Sequence, residues 1–446
     1  MHTTRRLAVR FFGSAALFAC AFAHADGPID PGFYYGVPYT FPSYVGKVNV
    51  ELTALAQDSR GHLISAGRTS DSSNESYLVT RLNLESPVNL DNGFGSNGIA
   101  ANPFGTLIPS GAVAAAVDHH DRIVTGGYFA LYRSCGSSPS VLTYYFSAVR
   151  LKNGGGSDDG SVDTSFGTGF PSGTTGVTVG DCNFTNRPTA LTIGPNDEVT
   201  VGGSAYNGTH GDIALVRWDS LGRLDTSFGG SGIVNPSSAF DTDLGALTTD
   251  EHGRILAGAF EVGPTAKRVF IYRFEADGTL DPTFGKSGIS QSDFRDYTLV
   301  FGIAVDPVGR VIVAGTTSDP SGSHAVLMRL TSSGDLDQSF GVAGISEIAN
   351  FYVESLLLDL KGRPILGGSS EYGVATLAHF NLDGSLNTAV GFGGVYTTPL
   401  GLDVSGATSV VIDPMGRLNT AIRANDREGS VSSVVRYDEL FGDGFD

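Results

Sequence analysis

The sequence predicts an all-β fold, a seven-bladed β-propeller of four-stranded antiparallel blades, and three observations carry that expectation. A turn motif of the form Asp-x-x-Gly-Arg, followed by a β-branched run, recurs seven times, with copies starting at Asp58, Asp118, Gly194, Asp250, Asp306, Asp359 and Asp413. The copies lie 53 to 76 residues apart, longer than a hairpin and about the size of one four-stranded blade. Small residues recur at one position of each repeat, and no stretch shows a sustained 3.6-residue apolar period with caps. The 446 residues include 61 Gly and 19 Pro, with 17% charged, a turn-rich composition without the charge density of a disordered chain.

Each element of the repeat has a local reason. In the fifth copy Phe301 to Val305 reads as the first strand, and Asp306-Pro307-Val308-Gly309 as a turn. There Asp bonds nearby backbone, Pro sets φ and Gly tolerates φ > 0. Arg310 to Gly315 reads as the second strand, Ala325 to Leu330 as the third, and Gly344-Ile345 opens the fourth. Four residues before each turn Asp stand Ala54, Ala114, Ala190, Ala246, Gly302, Ser355 and Ser409. Small side chains in every first strand suit strands that converge on an axis.

A second motif joins the third strand to the fourth. Leu280-Asp281-Pro282-Thr283-Phe284-Gly285 recurs around Asp225 and Phe228, and around Asp337 and Phe340. Weaker copies hold Asp91 and Phe94, and Asp163 and Phe166, with a decayed copy from Leu386-Asn387 to Val390-Gly391. The paired motifs Asp-x-x-Gly-Arg and Leu-Asp-x-x-Phe-Gly resemble the delta-60 repeat family of bacterial secreted propellers over nearly all of residues 27 to 440. The chain departs from that pattern where Asn196-Asp197-Glu198 replaces x-Gly-Arg and where Asn387 replaces Asp. The resemblance implies a propeller and export, and it implies no reaction, ligand or catalytic residue.

Residues 1–25 read as a secretory signal peptide: Arg5, Arg6 and Arg10 precede an apolar run from Phe11 to Ala23, and Ala23-His24-Ala25 has the form of a cleavage site. Phe18 is bulky for a lipidation signal at Cys20, and the apolar run is too short to span a bilayer. Residues 26–440 are the expected propeller. The tail 441–446 reads either as a remnant of the Phe-Gly motif or as an export or attachment signal. Cleavage would leave 25 basic residues against 46 acidic ones, a net charge of −21. Such a chain repels nucleic acid and anionic lipid, so neither is an expected partner. Cys135 and Cys182 would then share an oxidising compartment and one loop face, so a disulfide between them is expected.

The candidate chemistry divides into scaffold and rim. Arg81, Arg150, Arg217, Arg273, Arg329 and Arg436 recur in the third strand, with His379 in the sixth copy. In the regular copies the motif Asp follows eight residues later, as in Arg217 and Asp225, Arg273 and Asp281, and Arg329 and Asp337. Where Arg becomes His379, Asp becomes Asn387, as a structural pair requires. The last repeat lacks a fourth strand, so residues 33 to 40 are expected to supply it, with Asp30 meeting Arg436 to close the ring. Gly285-Lys286-Ser287 fails the phosphate-loop pattern, and His119-His120 lacks a third ligand at recognisable spacing.

If the first strand is innermost, the motifs share one face and the variable loops share the other. The rim of the variable face then carries Glu51, Gly111, Arg187, Asp243, Leu299, Tyr352 and Gly406, with Glu354 nearby, and aromatic residues Tyr44, Tyr297 and Tyr352. The expected function is a secreted, monomeric, non-catalytic binding scaffold without cofactor or metal. Its partner is expected to be a glycan, an envelope component or a protein, met as a neutral or cationic polymer on that face. The alternative is a hydrolase or lyase using Glu51, Asp243 and Glu354.

Overall fold

The structure is a computed structural model. It describes residues 39–40 and 49–437 except 72–73, 85–87, 101, 106, 136–137, 168–171, 181–184, 207–209, 264–267, 294–296, 321, 399–403, 414 and 426–429. Its strands form seven four-stranded antiparallel sheets, and six of these are continuous in sequence. The innermost strands are Asn49–Gln57, Ser110–Val117, Thr185–Ile193, Thr242–Thr249, Tyr297–Val305, Phe351–Leu358 and Val404–Ile412. Among the described residues there is no helix, and no helix is long and apolar enough to cross a membrane.

Hydrophobic burial is divided among seven interfaces between neighbouring blades. Leu52, Leu63 and Leu82 of the first blade pack with Ala421 and Val434 of the seventh. Ile64 and Val79 of the first pack with Ile123 and Val149 of the second, and the pattern repeats round the ring. Each sheet is covered on both faces, which is why strands such as Ile255–Glu261 and Arg268–Phe274 are nearly continuous apolar runs. Trp218 belongs to the core between the second and third blades and is fully buried.

The first motif closes the turn between the first two strands of a blade. In the fifth blade Asp306 Oδ1 accepts the amides of Val308 at 3.1 Å and Arg310 at 2.8 Å, while Oδ2 accepts Arg310 Nε at 2.6 Å. The same fork forms at Asp118, Asp250, Asp359 and Asp413. At Asp58, His62 takes the place of Arg. In the third blade Gly194 offers no carboxylate, and Glu198 instead accepts the amide of Asn196 at 2.9 Å.

The second motif links blades. Arg273 Nε donates to Asp281 Oδ2 at 2.7 Å, its guanidinium lies 4.4 Å from the centroid of the Phe284 ring, and Nη1 donates to Ser332 O of the next blade at 2.6 Å. Equivalent pairs join Arg81 to Asp91, Arg150 to Asp163, Arg217 to Asp225 and Arg329 to Asp337. Gly285 then donates its amide to Ser333 O of the following blade at 2.7 Å, and Gly95, Gly167, Gly229 and Gly341 do the same. Glycine is required there, because φ is +52° and a Cβ would lie 2.3 Å from Ile289 O.

Ring closure mixes the chain ends. The seventh sheet comprises Val404–Ile412, Leu418–Asn425, Ser430–Tyr437 and Tyr39–Thr40, with Tyr39 opposite Val434 and Thr40 opposite Ser433. Ser432 Oγ accepts the amide of Leu52 and donates to Val50 O, both at 3.0 Å, and Arg436 Nη1 donates to Leu84 O at 3.2 Å. The N-terminal strand therefore closes the ring by completing the last blade. Asp30 and residues 33–38 lie outside the described residues.

Three outcomes follow from this construction. Deleting residues 27–40 removes the outer strand of the seventh blade and should lower the melting temperature of the whole disc, so an unchanged melt would contradict the closure. Asp281→Ala leaves buried Arg273 without its carboxylate and should cost about 3–5 kcal/mol in denaturant unfolding. Asp335→Asn, exposed in the next turn, should stay within about 0.5 kcal/mol of the parent. Acid should unfold the disc late. Burial alone would raise the carboxyls of Asp58 and Asp359. Bonds to Asp58 from the His62 side chain and backbone and from Asn153, and to Asp359 from His379 and Arg363, bring both down to about 2. A carboxyl lowered by folding stabilises above its unfolded pKa of about 4 and loses that contribution as pH falls through its folded value. Circular dichroism should therefore show the fall between about pH 4 and 2, and unfolding above pH 5 would contradict the reading.

Candidate functional site

Every innermost strand carries a β-bulge just before its small residue, at Thr53, Val113, Thr189, Gly245, Phe301, Glu354 and Thr408. A bulge re-aims one side chain out of the alternation of the strand. At three of the seven the re-aimed residue is a threonine whose hydroxyl donates to a carbonyl of the next blade. Thr53 reaches Ala112 O at 3.0 Å, Thr189 reaches Leu244 O at 2.9 Å, and Thr408 reaches Leu52 O at 3.2 Å. Blades five and six place Phe301 and Glu354 there instead.

Those two residues line a cleft of about 810 Å³ on the variable face, with Tyr352, Tyr372, Glu371 and Arg423. Tyr352 is 45%, Phe301 38% and Tyr372 81% exposed, so aromatic surface faces solvent here. Glu354 and Phe301 also border a central cavity of about 490 Å³ that holds Arg187 and Asp243.

Arginines organise the rim charges. Glu51 accepts Arg68 Nε at 2.9 Å and, from the seventh blade, Arg423 Nη1 at 3.0 Å. Arg68 also lies 3.4 Å from Glu75 and donates to Tyr128 Oη at 3.2 Å, and Tyr128 donates to Glu75. Burial and Glu75 push the Tyr128 hydroxyl up to about 12 against the opposing pull of Arg68. Asp243 pairs with Arg187 at 3.3 Å.

Glu354 stands apart. Its nearest ionic partner is Arg423 Nη2 at 3.9 Å, beyond hydrogen-bond reach. Burial pushes its carboxyl above the usual range, and Arg423 offsets this only in part. A Cβ at Gly406 would lie 2.3 Å from Glu354 Oε1, so the glycine leaves room for the carboxylate.

The structure therefore brings Tyr352, Glu354 and, through Arg423, Glu51 to one cleft, and gathers Arg187 and Asp243 in the central cavity beside it. Tyr44 and Cys182 lie outside the described residues. Tyr297 opens its strand, and Cys135 ends the strand Ile123–Cys135. Three further aromatic residues on the approaches to the innermost strands pack inward: Phe104 and Phe351 are buried and Phe240 stacks on Phe270.

Sequence reading missed Phe301, Tyr372, Arg68 and Arg423. The two arginines stand opposite Glu51 and Gly406 in strand pairing, so a register argument from the repeat identifies them. Phe301 was hidden because a bulge breaks the alternation from which facing is read. His119 and His120 do meet a third group: both Nδ1 atoms contact Asp197 of the next blade, at 2.8 and 2.5 Å. Asp118, His120 and Asp197 could cluster round an ion, but Arg122 already bonds Asp118 at 2.6 Å and Asp197 at 3.1 Å. The cluster is a latch between blades, occupied by a guanidinium.

Comparisons with known proteins agree with this architecture. A family model described as "Domain of unknown function (DUF5122) beta-propeller" matches residues 253–284 and 309–340. No curated protein matches. Among solved structures, the polysaccharide lyase Uly1 is 10% identical, covering 93% of this chain and 97% of its own, at a TM-score of 0.50. Sqt1 of Chaetomium thermophilum, bound to the N-terminus of the ribosomal protein L10, is 11% identical, covering 89% of this chain and 99% of its own, at 0.47. At such identity the likeness to Uly1 concerns fold alone; the seven four-stranded sheets make this chain a β-propeller.

Proposed function

We propose that the protein is an exported, non-catalytic propeller of the delta-60 repeat kind that binds a neutral or cationic sugar polymer in the cleft between blades five, six and seven. The observation that carries this reading is the exposure of Tyr352, Phe301 and Tyr372 together in one cleft. Aromatic faces stack on the CH surfaces of sugar rings, while neighbouring hydroxyl and charged groups meet the sugar hydroxyls. The acidic disc disfavours polyanions.

The rim chemistry supports binding over turnover. A hydrolase or lyase using Glu51, Asp243 and Glu354 needs carboxylates free to exchange protons with substrate. Glu51 is held between two arginines and Asp243 is paired with Arg187, which leaves Glu354 without a second free carboxylate among the three. Tyr128, with its proton held by Glu75 and its pKa raised, is poorly suited to act as a base at neutral pH.

Calorimetry with cellohexaose and other neutral or amino-bearing oligosaccharides tests the reading. Tyr352→Ala and Tyr372→Ala should each weaken binding several-fold without changing the melting temperature. Leu360→Asp, exposed on the motif-bearing face, should leave affinity unchanged. Binding that tracks Leu360, or release of shortened oligosaccharides, would refute the proposal.

A further inference from the structure

We infer that Glu354 is the recognition residue for a positively charged amino group on the bound polymer, so that the cleft prefers a glycan bearing free primary amines. The inference rests on the cleft being the binding site, and goes further by assigning one charge-reading position within it.

The first support is the state of the carboxylate. Among the described residues no hydrogen bond reaches Glu354, and its one ionic neighbour, Arg423 Nη2, stands 3.9 Å away while Nη1 of that arginine is bonded to Glu51. The side chain is only 23% exposed. A half-buried carboxylate given no protein donor is left to the water of the cleft, and a ligand donor entering there would take the place of that water. Glu51, by contrast, has its donors already supplied by the protein.

The second support is position. Glu354 occupies the bulge where Thr53, Thr189 and Thr408 stitch neighbouring blades together. In the fifth blade Phe301 stands at the same position. Four of the seven bulges lack the threonine, and of these Phe301 and Glu354 line one cleft, where Gly406 leaves space for the carboxylate. Ser355 Oγ keeps the bond to the seventh blade by donating to Ala407 O at 3.4 Å, which frees position 354 from that task.

The third support is the surroundings. Phe301, Tyr352 and Tyr372 line the same cleft. Aromatic faces attract an ammonium through the ring quadrupole, and a carboxylate completes the site with a charge-assisted hydrogen bond. A hydroxyl would satisfy the lone pairs of Glu354 and leave its negative charge uncompensated, whereas an ammonium meets both needs.

The test compares hexamers of β-1,4-linked glucosamine, of its N-acetylated form, and of glucose, by calorimetry at fixed ionic strength on the full chain. The wild type should bind the free-amine hexamer about tenfold more tightly than the other two, the size of one charge-assisted hydrogen bond in a half-open site. Glu354→Gln should abolish that preference while leaving binding of the glucose hexamer unchanged. Glu251→Gln removes an exposed charge from a turn on the motif-bearing face and should keep the preference, which separates a local contact from the general pull of an acidic protein. If the hexamers bind equally, or if Glu354→Gln retains the preference, the amine site is overturned and the cleft reading stands. If no hexamer binds, both fall.

Discussion

The contact on which this disc depends is the arginine of the third strand. In the first five blades it is bonded to an aspartate of its own blade and lies against the phenylalanine that follows that aspartate, and in most blades it reaches a backbone carbonyl of the next, as Arg150 does to Ser220 O at 2.6 Å. The guanidinium suits the task because its planar fork can serve a carboxylate, a ring and a carbonyl at once. Blades pack through apolar faces that have no directional preference of their own. The arginine supplies the orientation, fixing how far one blade is turned against its neighbour.

This division of labour explains which departures the ring tolerates. In the sixth blade His379 replaces the arginine and Asn387 the aspartate. The pair still meets, with His379 Nδ1 at 3.1 Å from Asn387 Nδ2, while Nε2 turns to Asp359 at 3.5 Å. In the second and third blades an aspartate replaces the turn glycine. Asp121 and Asp197 sit at φ of 63° and 61° and send their carboxylates to the preceding blade, where they accept the amides of Ser59 and His119. Aspartate tolerates that conformation better than most residues, so what looks in sequence like decay of a motif is a different inter-blade bond.

The scaffold was legible from the sequence because each of its parts leaves a short, repeated trace: a turn aspartate, a glycine at positive φ, an arginine eight residues ahead of its partner. The missing fourth strand of the last repeat was legible too, as a surplus at one chain end facing a deficit at the other. The cleft was legible only in part. Tyr352 and Glu354 stand near the rim position counted from the repeat, but their meeting with Tyr372 and Arg423 depends on loop course and on which blade lies beside which. The bulge, invisible to an alternation rule, decides that Phe301 and Glu354 face the opening rather than the interior.

The two faces are thereby released from each other. On the motif-bearing face, sequence is constrained by bonds that run from blade to blade, and a change at one arginine must be answered at its aspartate, as His379 and Asn387 illustrate. On the opposite face the strands begin, the loops differ in length, and the bonds between neighbours change from blade to blade, as in Thr53 to Ala112 O, Val353 N to Thr316 Oγ1 and Arg423 to Glu51. Where the bulge carries Phe301, the fifth and sixth blades are still held on the far side, because Arg329 donates to Leu382 O and Gly341 to Asp383 O of the sixth blade; at Glu354, Ser355 Oγ donates to Ala407 O of the seventh blade instead. The rigidity of one face is what allows the other to vary, and the variation concentrates at the bulge, one of the few positions where a side chain can be re-aimed without disturbing a strand pair.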